Sequence, residues 1–241
     1  MVQRINDIFK SIGLYLEDEY LTPDECTALL DSIVSYRKEF GVVQVERNDG
    51  ARPLKYSVID GVQIREYLPD IMGLYGQVNE LVNRISALKL VPLENKRVGC
   101  NVNIMGSGNT YRWHYDRNAV TAILYLNEVS GGETECYANY RMSLGNARFS
   151  NFQRMLDVAL QSRPIRKIFG KHNVITPKTG RLVVMRGDRC LHSVRPVTDD
   201  NERVNIIMSY DLPGTKFSVD ERLDGYLYSR EKAGGSDPNY I

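Results

Sequence analysis

From residue 91 onward the chain is a succession of short apolar runs, and these constrain the fold more than any other feature. "KRVGCNVNIM", "TAILYLN", "RLVVMRG" and "RVNIIMSYD" are rich in β-branched side chains and are separated by Gly, Asn, Asp and Pro. Runs of this length and make-up bury themselves as strands in antiparallel sheets. The residues before them read differently. In "LTPDECTALLDSIVSYRKEF", Thr22 is placed as an N-cap and Pro23 at the first helical position, with Leu29, Leu30, Ile33 and Val34 forming an apolar stripe. A second helix is expected in "IREYLPDIMGLYGQVNELVNRISAL", interrupted at Pro69 with its firmer part following. Helices first and strands later imply an α+β plan, a β-sandwich or barrel backed by helices.

At 241 residues, 42% hydrophobic and 25% charged, the chain has the length and composition for one large domain with a real core. Residues 1–241 are therefore expected to form a single domain: a helical lead-in to about 90, a β-core over about 91–215, and a C-terminal tail from about 216. "EKAGGSDPNYI" at the end has the composition of a loose tail. Thirty-one Lys and Arg nearly balance thirty Asp and Glu, so global charge gives no reason to expect nucleic acid or an anionic membrane as partner. Cys26, Cys100, Cys136 and Cys190 are widely spaced without a C-x-x-C pair, which fits reduced thiols in a cytoplasmic protein. The N-terminus lacks an apolar signal core, and no stretch approaches the roughly 20 apolar residues of a membrane span.

Only three histidines occur: His114, His172 and His192. Any one of them has an ordinary reading as a hydrogen-bonded or surface residue. In "RWHYDRNAVTAILYLN", however, His114 and Asp116 stand two apart just before an apolar strand, which puts them on one side of an extended chain. His192 follows a later strand and a polar turn in "RLVVMRGDRCLHSVRPV". Two histidines and one carboxylate on a rigid sheet make a facial triad for non-haem Fe(II) with coordination positions left open. Neutral imidazoles and an ionised carboxylate are the right donors near neutral pH. Alternation helps elsewhere. Val98, Cys100, Val102 and Ile104 are expected on one strand face, with Asn101, Asn103 and Met105 on the other, where the two amides line the site.

The residues "YRWHYD", "YLNEVSGGETECY", "PKTGRLVVM" and "LHSVRPVTDDNERVNIIMSYD", with "LTPDEC" near the start, resemble the prolyl 4-hydroxylase-like branch of the 2-oxoglutarate and Fe(II)-dependent dioxygenases. The resemblance spans roughly residues 15–215 and implies a double-stranded β-helix, a jelly roll, with flanking N-terminal helices. It also implies Fe(II) held by His114, Asp116 and His192, with 2-oxoglutarate and O2 as cosubstrates. Family members carry a basic residue about ten positions after the distal histidine, and Arg203 stands eleven after His192. If "RVNIIMSYD" is a strand, Arg203, Asn205, Ile207 and Ser209 share one face, while Val204, Ile206, Met208 and Tyr210 share the other. Arg203 is thus expected to fork onto the far carboxylate of 2-oxoglutarate, with Arg195 as a lower-ranked rival. Asn205 stands where relatives often have Ser or Thr, and Met105 where many have a cosubstrate-binding Tyr. Asn101, Tyr111 and Thr134 are further candidates for cosubstrate contacts, and Asn103, Arg117 and Arg195 for substrate contacts.

The reaction so implied is hydroxylation of an unactivated C–H bond, with succinate and CO2 as coproducts. Related halogenases have Gly or Ala in place of the carboxylate ligand, so Asp116 argues against halogenation. A small metabolite is favoured as substrate, with amino-acid-derived molecules among the candidates. Hydroxylation of a prolyl or other peptide side chain is the alternative, and a non-catalytic metal-binding β-domain ranks behind both. Finally, residues 137–171 are longer than a sheet crossover needs and carry Arg141, Arg148, Arg154, Arg163, Arg166, Lys167 and Lys171 against one acid, Asp157. Phe152, Met155, Leu156 and Leu160 have helical spacing. The segment is read either as a packed basic helix or as a lid over the iron mouth, with Arg148 and Arg154 meeting an anionic group of the substrate.

Overall fold

In a computed structural model, residues 2–48, 53–142, 151–215 and 225–230 are described. Helix α1 (Val2–Ile12) leads into strand β1 (Leu14–Glu17), and α2 (Pro23–Phe40) begins at the expected Thr22 cap. There the Glu25 amide donates to the Thr22 hydroxyl, and the Glu25 carboxylate accepts from the Thr22 amide at 2.8 Å, a reciprocal box that satisfies two helix-end donors. Strands β2 (Val43–Arg47) and β3 (Leu54–Ile59) pair antiparallel, followed by α3 (Gly61–Tyr67) and α4 (Pro69–Ser86). The two helices part at Leu68, as the following Pro69 requires. Next come β4 (Val91–Pro92), α5 (Lys96–Gly99), β5 (Cys100–Met105), β6 (Tyr111–His114), β7 (Val120–Tyr125) and β8 (Thr134–Tyr137). Then follow α6 (Asn151–Gln161), α7 (Arg163–Phe169), β9 (His172–Ile175), β10 (Leu182–Met185), β11 (Leu191–Val194) and β12 (Arg203–Asp211).

From β5 onward the strands are shared between two antiparallel sheets. The larger has the order β1-β10-β7-β12-β5-β3-β2, with β4 on β12, and the smaller the order β6-β11-β8-β9. This is the jelly-roll plan with helices behind it, and the two sheets remain separate rather than closing into a barrel. The first ninety residues also add three strands to the larger sheet, which their mixed polar and apolar sequence did not announce.

Period-two alternation on β12 divides the molecule. Val204, Ile206, Met208 and Tyr210 face outward and join Val102, Ile104 and Leu124 in a core completed by α2, α3 and α4 through Ile33, Ile64, Val78 and Val82. Arg203, Asn205, Ile207 and Ser209 face inward, toward the smaller sheet. Between the sheets, Ile123, Tyr125, Val183 and Met185 meet Cys136, Ile175 and Cys190. All four cysteines are free and buried. Val98 departs from expectation: it lies in α5, one turn before the strand, and so does not share the outward face of Cys100.

The long connection after β8 forms two helices, but α6 buries only part of its apolar pattern: Leu160 is buried and Leu156 half-buried. Phe152 and Met155 are 67% and 68% exposed, while Gln153 and Asp157 are buried. An ion pair decides the orientation: Arg141 Nε donates to Asp157 Oδ1 at 2.9 Å, and Gln153 donates to the same oxygen at 2.9 Å. Once that carboxylate is buried its partners must be buried with it.

Candidate active site

The strand ends of the smaller sheet bring the predicted triad together. In the register of β6 against β11, His114 lies directly opposite His192, and their rings stand 4.1 Å apart between centroids. Asp116 follows β6 by two residues, and its Oδ1 is 3.3 Å from His114 Nε2 and 3.7 Å from His192 Nε2. One donor atom from each residue falls within 4.8 Å of the others. This is the size of a single metal ion's coordination sphere.

The surroundings fix which atoms are presented. Nδ1 of His114 lies 2.9 Å from the Arg112 carbonyl and Nδ1 of His192 lies 3.1 Å from the Cys190 carbonyl, so each Nδ1–H donates to the backbone and leaves Nε2 with its lone pair toward Asp116. Asp116 Oδ2 accepts from Thr121 Oγ1 at 2.5 Å, and the same hydroxyl accepts from Asn118 Nδ2 at 2.9 Å. That engages one carboxylate oxygen and leaves Oδ1 for a ligand. Backbone proximity matters too: Asp116 N–H donates to the Gly187 carbonyl at 3.0 Å, and a Cβ at Gly187 would lie 2.8 Å from Thr121 Oγ1 and 3.0 Å from Asp116 Cβ. Burial pushes the His192 imidazole down to about 4, and His114 pushes it the same way. Burial alone would raise the Asp116 carboxyl, yet His192, His114 and the Thr121 hydroxyl together bring it down to about 2. Near neutral pH His192 is therefore neutral and Asp116 ionised, the forms in which these groups bind a metal.

A cavity runs between the sheets from this triad. Arg203 lies on its wall and is 2% exposed. Its hydrogen bonds go to neutral groups: Asn205 Oδ1 at 2.5 Å, Thr134 Oγ1 at 3.3 Å and Met105 Sδ at 3.5 Å. The guanidinium also lies 5.0 Å over the Tyr125 ring, whose hydroxyl is 2.6 Å from Thr134 Oγ1. Gly132 makes the close approach possible, since a Cβ there would sit 2.8 Å from Arg203 Cδ. Asn205 Nδ2, also buried, has no partner. A buried cation with only neutral partners beside an unsatisfied amide donor is costly unless an anion completes the set. Three metal donors at one place and a buried guanidinium beside an amide donor at another, in the same cavity, suit an iron and 2-oxoglutarate, so the residues present fit both.

Asn101, Asn103, Tyr111 and Arg117 line the cavity, as does Thr134. Tyr111 packs 4.8 Å from the His114 ring and stacks on Tyr56 at 5.3 Å. Arg195 does not line it: the side chain turns to Glu135 on the opposite face of β8, with Nε 3.0 Å from Oε1. Its strand places it there, because Glu135 and Thr134 point to opposite sides. Among the described residues, none of 137–171 lines the cavity. Arg141 is taken up by Asp157, and Arg166 stacks 4.2 Å over Trp113. Arg148 and the side chain of Arg154 lie outside the described residues. His172, 3.3 Å from Glu135, belongs to the outer surface.

Several wall residues were not foreseen. Thr121 and Ile123 could have been found from the alternation of β7. Tyr56, Leu227 and Tyr228 come from segments with no spacing relation to the triad.

The sequence profile of the 2OG-Fe(II) oxygenase superfamily matches residues 100–210, the stretch that holds β5 to β12. Among curated proteins none matches significantly. The fold is similar to that of the non-haem α-ketoglutarate-dependent carbocyclase SnoK from nogalamycin biosynthesis, with a TM-score of 0.67 at 14% identity over 97% of this chain and 94% of that one. The epimerase SnoN, solved with Fe3+, α-ketoglutarate and nogalamycin RO, gives 0.63 at 14% identity over 97% and 96%. A prolyl hydroxylase from Trichoplax adhaerens, in complex with a hypoxia-inducible-factor peptide fragment, gives 0.59 at 20% identity over 87% and 88%. With its jelly roll, its His-Asp-His cluster and this profile match, residues 100–210 carry the 2OG-Fe(II) oxygenase signature, that of enzymes that use iron and 2-oxoglutarate.

Proposed function

We propose that the protein hydroxylates an unactivated C–H bond of a small organic molecule, with His114, Asp116 and His192 holding Fe(II) and Arg203 binding the far carboxylate of 2-oxoglutarate. The observation that carries this reading is the pairing, within one cavity, of the triad with a buried guanidinium that has only neutral partners. Bound Fe(II) supplies the activation of O2 and the oxidising power, with 2-oxoglutarate as reductant. This chain's own residues do the positioning. The carbonyls of Arg112 and Cys190 hold the two imidazoles in one tautomer, and Thr121 fixes the carboxylate. Arg203 offers a planar fork to a carboxylate, with Asn205 Nδ2 as a further donor, while Tyr125 and Thr134 keep the guanidinium in place. Asn101, Asn103, Tyr111 and Arg117 are assigned to the walls where cosubstrate and substrate meet the iron.

A small molecule is favoured by the likeness to the carbocyclase SnoK and the epimerase SnoN, both from nogalamycin biosynthesis. Peptide hydroxylation is the second reading, favoured by the likeness to a prolyl hydroxylase that carries a peptide. The test is to incubate purified enzyme, Fe(II), ascorbate and 2-oxoglutarate with metabolite pools and with proline-containing peptides, following succinate and a mass gain of one oxygen. Succinate formation stimulated by a metabolite fraction is expected; stimulation only by peptides would reverse the substrate assignment, and no Fe(II)-dependent succinate under any condition would contradict the hydroxylase reading.

A further inference from the structure

Residues 225–230 do not hang free of the domain. Arg47, 5% exposed on β2, donates to the carbonyls of Ser229 at 2.7 Å, Arg230 at 3.4 Å and Gly225 at 3.5 Å. Tyr56 donates its hydroxyl to the Leu227 carbonyl at 2.7 Å. The Tyr226 ring, 1% exposed, has the guanidinium carbons of Arg47 and Arg112 each 5.3 Å from its centroid. Burying two guanidiniums is costly unless it secures something. What it secures is the position of the next two side chains, because Leu227 and Tyr228 line the cavity and Asn101 Nδ2 donates to the Tyr228 hydroxyl at 3.2 Å.

The chemistry of the mouth narrows what can enter. Tyr56 and Tyr111 form one aromatic wall, with Tyr111 against the His114 ring, and Leu227 with Tyr228 brings further apolar surface to the same cavity. Among the described residues, Asp116 is the only carboxylate lining the cavity, and it is committed to the triad, as Arg203 is to 2-oxoglutarate. An ammonium group entering here would lose its hydration, and no further carboxylate among the described lining residues is there to receive it. We infer that Leu227 and Tyr228 are specificity-determining residues and that the substrate is a neutral or anionic molecule with a flat apolar body, not an amine. This inference rests on the oxygenase reading above and narrows its substrate class.

The test uses full-length protein loaded with Fe(II) and 2-oxoglutarate under anaerobic conditions, titrated calorimetrically with 2-naphthol, 2-naphthoate and 2-naphthylmethylamine. These share one flat body and differ in charge. The neutral or the anionic probe should bind about tenfold or more tightly than the amine. Tyr228→Ala should weaken that binding about tenfold, whereas Tyr228→Phe, which keeps the ring, should hold it within about threefold. If Tyr228→Ala does not fold, Leu227→Ala is expected to weaken binding in the same direction. Equal or tighter binding of the amine, no binding of any probe to wild type, or unchanged probe binding in the Ala variant would each overturn the inference. Titration of 2-oxoglutarate into the Fe(II)-loaded wild type stands apart: its failure would strike the oxygenase reading itself, and its success with a failed probe series would strike only the substrate class.

Discussion

The two ends of the cavity are built on different principles. At the inner end, Arg203, Asn205 and Thr134 stand on strands paired on both sides, and the register of β12 against β5 and β7 fixes their height and direction. At the mouth, Leu227 and Tyr228 arrive on a short segment held by side chains of β2, β3 and β6, chiefly Arg47, Tyr56 and Arg112. The inner end owes its geometry to backbone pairing and the mouth to a few buried side chains. Chemistry common to a superfamily can reside in the first, and selection among substrates can vary in the second without disturbing the strands.

This contrast can be broken most severely at the triad. Asp116→Ala should lower Fe(II)-dependent succinate formation by more than about 100-fold, beyond the 10- to 100-fold typical of losing an outer partner of a metal ligand. Near-normal turnover would mean that the metal lies elsewhere. Arg203→Gln comes next: losing a charge-assisted pair worth about 1.5–3 kcal/mol should raise the 2-oxoglutarate requirement about 10- to 150-fold with iron affinity nearly unchanged. If Arg195→Gln did this instead, the anchor would have to lie on the far side of β8. Thr121→Val, which frees Asp116 Oδ2, should weaken iron binding about tenfold in metal titrations. At the mouth, Arg47→Ala should speed hydrogen exchange over 225–230 while 2-oxoglutarate affinity changes by less than about threefold; equal loss at both ends would show that they are one cooperative unit. Smallest of all, Arg166→Ala should shift the emission of Trp113, the single tryptophan, without changing succinate formation.

The same division governs what was legible in the sequence. Strand alternation carries local information, so the two faces of β12, the H-x-D pair and the partner His192 could be read from spacing, as could the Thr22 cap and the break at Pro69. Three kinds of feature were not. β2 and β3 mix polar and apolar residues between helices, and their strand character comes from pairing with each other and, for β3, with β5. The orientation of α6 follows a buried Arg141–Asp157 pair that outweighs the apolar spacing of Phe152 and Met155. Leu227 and Tyr228 reach the site through the carbonyl contacts of Arg47, and carbonyls leave no mark in the side-chain sequence.

The central claim is that one small molecule reaches from the triad to Arg203, with one end of that molecule on the iron and the other on the guanidinium. Calorimetric titration of 2-oxoglutarate under anaerobic conditions, with and without Fe(II), tests it most directly. Because the cosubstrate would draw on both ends at once, its affinity should rise at least about tenfold when Fe(II) is present, and iron should bind more tightly by the same factor when 2-oxoglutarate is present. Equal affinity with and without the metal would contradict the account.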